Sequence, residues 1–406
     1  MKIAVFSDLH FGYAYNSETE NDSFENAAEA FEISKDADLI LIPGDLFDSR
    51  VPKTSVWANA IRVMVKPLLR SSTGAELVDT DKKMKEISKR TTNHQPVIAL
   101  HGTHERRGKG EINAIEALED AGILIHLHCN YVVFEKDGKK VAIHGMSGVP
   151  ERYAYEILSK WNPQPIPNCI NILMVHQSID PFVYSPLEPP SLTLANLPKG
   201  FDIIINGHIH GHTQQKIGDT ILLFAGSTLI TQMEKNESES LKGVHKIIVE
   251  NGIRIEFVSL SGNRKFYYEE VDASQDLKET VEARIKTILM KENKKKPLVK
   301  IKITGKDEDV FDNDLKELAK KYENEALIVF SKVTESTEMQ EKIDFLRNAR
   351  DQRFSTEEMG LQILKKNLDV LGFHETFDHD LIFSLLSEGE VDKSFQIVLG
   401  EQKTLK

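Results

Sequence analysis

Near its start the chain reads Lys2-Ile3-Ala4-Val5-Phe6-Ser7-Asp8-Leu9-His10, an apolar run that gives way to a carboxylate and an imidazole two residues apart. The run has the length and β-branched content of a buried strand, so Asp8 and His10 fall where the strand ends and a loop opens. Alternate side chains at a strand end point the same way, which lets the pair share one metal ion. The pattern recurs four times. Leu39-Ile40-Leu41-Ile42 runs into Pro43-Gly44-Asp45-Leu46-Phe47-Asp48, and Val97-Ile98-Ala99-Leu100 into His101-Gly102-Thr103-His104-Glu105. Ile172-Leu173-Met174-Val175 ends at His176, and Ile203-Ile204-Ile205 at Asn206-Gly207-His208-Ile209-His210. Sites in α/β sheets form at the carboxyl ends of strands, and mixed imidazole and carboxylate ligands suit manganese, iron or zinc. A single histidine of this kind is an ordinary core or surface residue, whereas five strand ends in order form a metal centre's pattern.

At 406 residues the chain exceeds one ordinary core and calls for two or three domains. Its 40% hydrophobic and 28% charged content describes a globular protein, and no apolar run approaches the roughly 18 residues of a membrane span. Met1-Lys2-Ile3 enters a strand directly, unlike a signal peptide, and two cysteines, Cys129 and Cys169, cannot build a disulfide framework. Both features point to the reducing cytoplasm. Cys129 follows His126 and His128, and without a second cluster the trio reads as strand residues rather than a zinc site. The formal charge of −12 argues against binding nucleic acid by net attraction. Its distribution argues otherwise, since Arg50 to Gly110 holds 13 Lys/Arg against 5 Asp/Glu, a local +8 that leaves −20 elsewhere. Arg50, Lys53, Arg106 and Arg107 flank two of the metal motifs and are the candidates for contact with a polyanionic substrate.

Helical spacing covers Glu25 to Lys35, Ser55 to Leu69 and Ala114 to Ala121, and Ser71 to Gln95 reads as a polar, partly helical insertion. Asp137-Gly138 marks a hairpin between Tyr131–Phe134 and Val141–His144, and a second hairpin turns at Glu250-Asn251-Gly252. Interleaved helices and strands followed by hairpins suggest two mixed sheets packed face to face with helices outside. From about residue 270 a small α/β unit follows. Leu277, Val281, Ile285 and Ile288 share one helix face, and Val299, Ile301 and Ile303 alternate with Lys300 and Lys302, which could touch a phosphate backbone. Beyond a polar stretch, Ser355-Thr356-Glu357-Glu358 has capping-box spacing before Leu361, Leu364, Leu368 and Leu371. A second helix near Asp378 carries Leu381, Ile382, Leu385 and Leu386. Two short amphipathic helices cannot bury their own faces and ask for a partner.

The five motifs D-x-H, G-D-x-x-D, G-N-H-[DE], a lone His and G-H-x-H are those of the calcineurin-like metallophosphoesterase superfamily, which this sequence resembles over residues 1 to about 260. One departure stands out: the third motif reads Gly102-Thr103-His104-Glu105, with threonine in the asparagine position. The order of domains and the tail look most like the SbcD-type, meiotic-recombination nuclease subunits that repair DNA double-strand breaks, of the archaeal kind. The resemblance implies a four-layer αββα sandwich over 1–268, a small α/β capping domain over 269–333 that helps bind DNA, and a linker with a C-terminal helical ATPase-binding segment over 334–406. It further implies two manganese ions. Asp8, His10, Asp45 and His210 would hold one, and Asp45, His176 and His208 the other, with the second site weakened by Thr103. Asp48 would orient neighbouring groups, and His104 would be the catalytic acid beside the ions. The implied partners are DNA, an SbcC-type SMC-like ABC ATPase docked on the C-terminal helices and a second copy in a homodimer, with no membrane. Against a metal-dependent DNA exonuclease and endonuclease stand a phosphatase or phosphodiesterase for small esters or phosphoproteins, which leaves the cap and tail unused, and a non-catalytic scaffold, which Thr103 keeps open.

Overall fold

The computed structural model describes residues 1–108, 110–183, 191–273, 276–305, 312–334, 378–387 and 391–398, with Gly360, Leu361, Leu364, Lys365 and Leu368. Two compact units divide the chain: Met1–Tyr184 with Pro190–Glu335, and Ser185–Pro189 with Ser336–Lys406.

The first unit contains two large sheets. One has six strands in the order Ile253–Ser259, Gly243–Val249, Lys2–Val5, Leu39–Ile42, Val97–Ala99, Ile125–His126. Its last four strands are parallel, and the hairpin at the other edge pairs antiparallel with Lys2–Val5. The second has seven strands in the order Thr213–Ile217, Thr220–Phe224, Ile203–Asn206, Ile170–Val175, Lys139–Met146, Asn130–Lys136, Glu76–Thr80, with a parallel centre and antiparallel edges.

Period-two alternation decides the layering. Ile3, Val5, Leu39, Leu41 and Ile98 meet Ile143, Ile172, Met174, Ile203 and Ile205 of the other sheet in one buried cluster. Their neighbours Ala4, Ile40, Ile42 and Val97 face the opposite way, into a cluster with Ala27, Phe31, Val56, Ala60 and Ile115 of the outer helices Asp22–Ile33, Thr54–Met64 and Ala114–Asp120. Leu173, Val175, Ile204 and Leu222 likewise pack with Ala154 and Leu158 of the helix Glu151–Trp161. The result is helix, sheet, sheet, helix: the expected four-layer sandwich. Apolar residues on both faces of the central strands follow from burial on both sides.

Several elements differ from the sequence reading. The second helix stops at Met64, and Lys66–Leu69 is a 3₁₀ turn around Pro67, whose missing N–H and ring do not fit a continuing α-helix. Within the polar insertion, Glu76–Thr80 is a strand that pairs with Asn130–Lys136 at the sheet edge. Of the trio His126, His128 and Cys129, expected as strand residues, only His126 lies in a strand, its ring within hydrogen-bond distance of His101 and Ser147 Oγ.

Three parallel strands, Phe266–Asp272, Leu298–Gly305 and Leu327–Thr334, form the small α/β unit, with the helices Leu277–Leu289 and Asp312–Lys321 as crossovers. Its sheet thus begins at Phe266, just before the division placed at 268. Val281, Ile285 and Ile288 pack with Val299, Ile301 and Ile303 as the alternation requires. Lys300 and Lys302 face the other way but are not free cations: they pair with Glu234 at 3.1 Å and Glu270 at 3.6 Å. Arg264 joins this unit to the sandwich, its guanidinium reaching Asp22 at 2.6 Å and the Lys296 carbonyl at 2.6 Å.

In the second unit, Gly360, Leu361, Leu364, Lys365 and Leu368 are helical, and His379–Ser387 packs with Val391–Val398. The capping-box residues 355–358 and Leu371 lie outside the described residues. Of the face expected on the second helix only Ile382 is buried, while Leu381 and Leu386 are exposed, as is Phe395 on the helix after it. Among the described residues, no helix is long and apolar enough to cross a membrane.

Candidate metal centre

The loops at the carboxyl ends of Lys2–Val5, Leu39–Ile42, Val97–Ala99, Ile170–Val175 and Ile203–Asn206 bring all six expected ligands into two groups. Asp8, His10 and His210 have ligating atoms within 4.8 Å of one another, and so do Asp45, His176 and His208. A third group joins His10, Asp48 and His104. Asp8, His10, Asp45 and His208 take left-handed backbone angles, with φ between 45° and 68°, which turn the loops back over the strand ends. Gly207 lies so close beneath the site that a Cβ there would meet the Pro43 carbonyl, the His176 ring and the Ser7 hydroxyl.

Each imidazole is oriented through its far nitrogen. His176 Nδ1 donates to the Pro43 carbonyl at 2.7 Å, which turns Nε2 towards Asp45 Oδ2 at 3.1 Å. His10 Nδ1 meets Asp48 Oδ1 at 3.1 Å, and its Nε2 faces His210 Nε2 at 3.2 Å. That contact is of the kind expected of Asp48, a hydrogen bond to a neighbouring loop group. Two Nε2 atoms facing each other, beside the buried carboxylate of Asp8, are a donor set in search of a cation. Asp8 supplies the sharpest fit: among the described residues its Oδ2 is buried without a hydrogen-bond partner. A buried anionic oxygen left so is costly unless a cation answers it.

The electrostatics carry the same message. Burial raises the Asp8 carboxyl, more than the nearby His176 lowers it. Burial alone would also raise Asp45, but the His176 charge and hydrogen bond hold it well below the usual carboxylate range. Against the same burial, the Asp45 carboxylate pushes His176 up to about 9. Burial, then the neighbouring His10 and Lys242 charges, keep His210 well below its ordinary value and therefore neutral, the state a metal ligand needs.

Thr103 lies beside Asp45, with Oγ1 donating to Asp45 Oδ2 at 3.1 Å. His104 is exposed, and its Nδ1 donates to the Asp48 carbonyl at 2.9 Å, leaving Nε2 for other business. Of the four basic candidates, Arg50 and Arg107 are exposed, and Lys53 Nζ sits 3.9 Å over the Tyr15 ring. Arg106 is half-buried, 3.6 Å from Glu151. Two features were not read as functional in the sequence. Glu105 is fully buried and accepts from Phe47 N and Gly102 N, each at 2.7 Å, locking together the two loops that carry Asp45 and Thr103. Burial and the Asp45 charge push its carboxyl up to about 8. The other is a buried lysine, Lys242, beneath His210. Glu105 was in view as the last letter of a motif; nothing in the sequence around Lys242 signals burial.

This fold and site place the chain in the calcineurin-like phosphoesterase family, whose profile matches residues 1–212. It is a metal-dependent phosphoesterase. Over 316 residues it is 28% identical to the DNA double-strand break repair protein Mre11 of Thermoplasma acidophilum, an alignment covering 74% of this chain and 76% of that one. Proteins of the same name from Sulfolobus acidocaldarius and Methanopyrus kandleri are 25% and 24% identical, over 75% and 68% of this chain and 75% and 60% of theirs.

Proposed function

We propose that the chain is the nuclease subunit of a cytoplasmic DNA double-strand-break repair complex, hydrolysing phosphodiesters at a centre of two manganese ions. The observation that carries this reading is the pair of facing ligand groups with the unanswered Asp8 Oδ2 between strand ends. Asp8, His10, Asp45 and His210 would hold one ion and Asp45, His176 and His208 the other. Ions there would activate water and neutralise phosphoryl oxygens. Oxygen and nitrogen donors without thiolate admit manganese.

The chain's own groups do the rest. His104, with Nδ1 fixed on the Asp48 carbonyl, can carry a proton on Nε2 and deliver it to the leaving oxygen. Arg50, Arg107 and Lys53 are the exposed charges left to bind backbone phosphates, whereas Arg106, turned to Glu151, serves the loop as much as the substrate. The exposed Leu381, Leu386 and Phe395 support docking of the tail helices on an SMC-like ABC ATPase of the SbcC type. The active assembly would be a homodimer.

The deciding experiment offers purified protein, with manganese, end-labelled duplex DNA, single-stranded DNA and a chromogenic phosphodiester. Cleavage of DNA that disappears in Asp8→Ala is expected. Turnover of the chromogenic ester alone would favour the small-ester reading, and no turnover by a manganese-loaded protein would favour the scaffold.

A further inference from the structure

Residues 227–242 lie beyond the segment matched by the family profile, yet they build the floor under one candidate ligand. Lys242 is 3% exposed, and its ammonium donates to three oxygens: the His210 carbonyl at 3.0 Å, Ser227 Oγ at 2.7 Å and Glu237 Oε1 at 3.0 Å. An ammonium has three protons, so all are used. The Glu237 carboxylate, 4% exposed, also accepts from three successive amides, Thr231 N at 3.1 Å, Gln232 N at 2.9 Å and Met233 N at 3.0 Å. That grip fixes the turn at Thr231, whose Oγ1 meets His210 Nδ1 at 2.6 Å. The Tyr13 hydroxyl holds the same turn from the other side, donating to the Thr231 carbonyl at 2.6 Å.

We propose that Thr231, Glu237 and Lys242 form a positioning unit for His210, setting from below both its place and its tautomer. With Thr231 Oγ1 accepting from Nδ1–H, the lone pair is left on Nε2, the nitrogen that faces His10 and Asp8. Lys242 holds the main chain of His210 while Glu237 holds the hydroxyl that holds its ring, so one buried ion pair fixes the residue at two points. A buried pair of this kind is weak evidence of a role in stability, since an apolar pair of the same volume often serves as well or better. Its use here is orientation. The turn is also where the small α/β unit touches this network, through the Lys300 contact to Glu234.

The inference rests on His210 holding an ion, and the test separates the two claims. Manganese binding is measured by titration calorimetry in the wild type, Thr231→Val, Thr231→Ser, Lys242→Met and His210→Ala. The His210 tautomer is read by long-range proton–nitrogen NMR correlation in chelator-treated protein, where no ion on Nε2 sets it. Thr231→Val keeps the side chain's shape and removes the acceptor, so it should weaken ion binding by roughly 10–100-fold, as loss of an outer hydrogen-bond partner does. Thr231→Ser should restore wild-type affinity, and Lys242→Met should weaken binding in the same direction as Thr231→Val. Among the variants that keep His210, the NMR signature of protonated Nδ1 should be lost only in Thr231→Val. If His210→Ala weakens binding while Thr231→Val binds as the wild type with the same tautomer, the positioning unit is refuted and the ligand assignment stands. If His210→Ala binds as the wild type, both fall together.

Discussion

Removing the ions and raising the pH tests the electrostatic design of the site directly. His176 and Asp45 are buried and 3.1 Å apart, and the contact lifts the imidazole to about 9 from an ordinary 6.5 while holding Asp45 low. Both shifts describe one interaction, so it is counted once. A folded-state value above the unfolded one means that the stabilisation is complete below pH 6.5 and lost as pH rises through 9. The size, at 1.36 kcal/mol per pH unit, is of order 3 kcal/mol. Glu105, pushed up to about 8 by burial and Asp45, titrates with the same sign. Urea unfolding of chelator-treated protein between pH 6.5 and 9 should therefore show a steady fall in stability, and His176→Gln should flatten most of it. With manganese present the trend should reverse, because a ligating imidazole must shed its proton and ion binding tightens with pH. Flat or rising stability in chelator across this range would refute the buried pair.

Four further outcomes are expected. His104→Ala should keep ion and DNA affinity by calorimetry and lose turnover by roughly 10²–10⁴-fold in a nuclease assay, because an acid group and no ligand is removed. Thr103 spends its hydroxyl on Asp45, so Thr103→Asn, which reaches further, should lower the manganese concentration needed for full activity. Gly102→Ala drives a methyl into the Asp45 carboxylate and should cost about 1–3 kcal/mol in chemical denaturation, with weaker ion binding. Deleting residues from Ser355 onward should leave metal-dependent hydrolysis of short single strands intact and abolish co-purification with the ATPase; a chain that aggregates instead would place those helices in its own core.

The centre of the fold was legible because its strands are apolar on both faces and each ends in a polar cluster. Lys2–Val5, Leu39–Ile42 and Ile203–Asn206 announce themselves this way, and their ligands came with them. The edges were not. Glu76–Thr80 and Thr213–Ile217 contain no fully buried residue, so their sequences carry no alternation and only the neighbouring strand makes them strands. Helix Glu151–Trp161 buries only Ala154 and Leu158, too narrow a stripe to read. Within the site, side chains that point at the ions were found and those that grip main chain were not. Glu105 and Lys242 act on amides and carbonyls, and a sequence records no trace of which backbone groups a fold leaves needing a partner. Lys242 in particular follows Glu237-Ser238-Glu239-Ser240-Leu241, a stretch that reads as surface.

The left-handed backbone at Asp8, His10, Asp45 and His208 bears on how fast ions come and go. Each such residue costs of order 1–3 kcal/mol, borne by the two sheets that hold the loops. Loops whose strain the sheets bear are held close to one conformation, so little loop rearrangement should stand between an arriving ion and its ligands. Loading should follow the rate at which a hydrated ion sheds water, and exchange of one metal for another should be governed by departure from the site. Surroundings in which one divalent ion is scarce and another abundant would therefore set the ion content of this protein by residence time rather than by access.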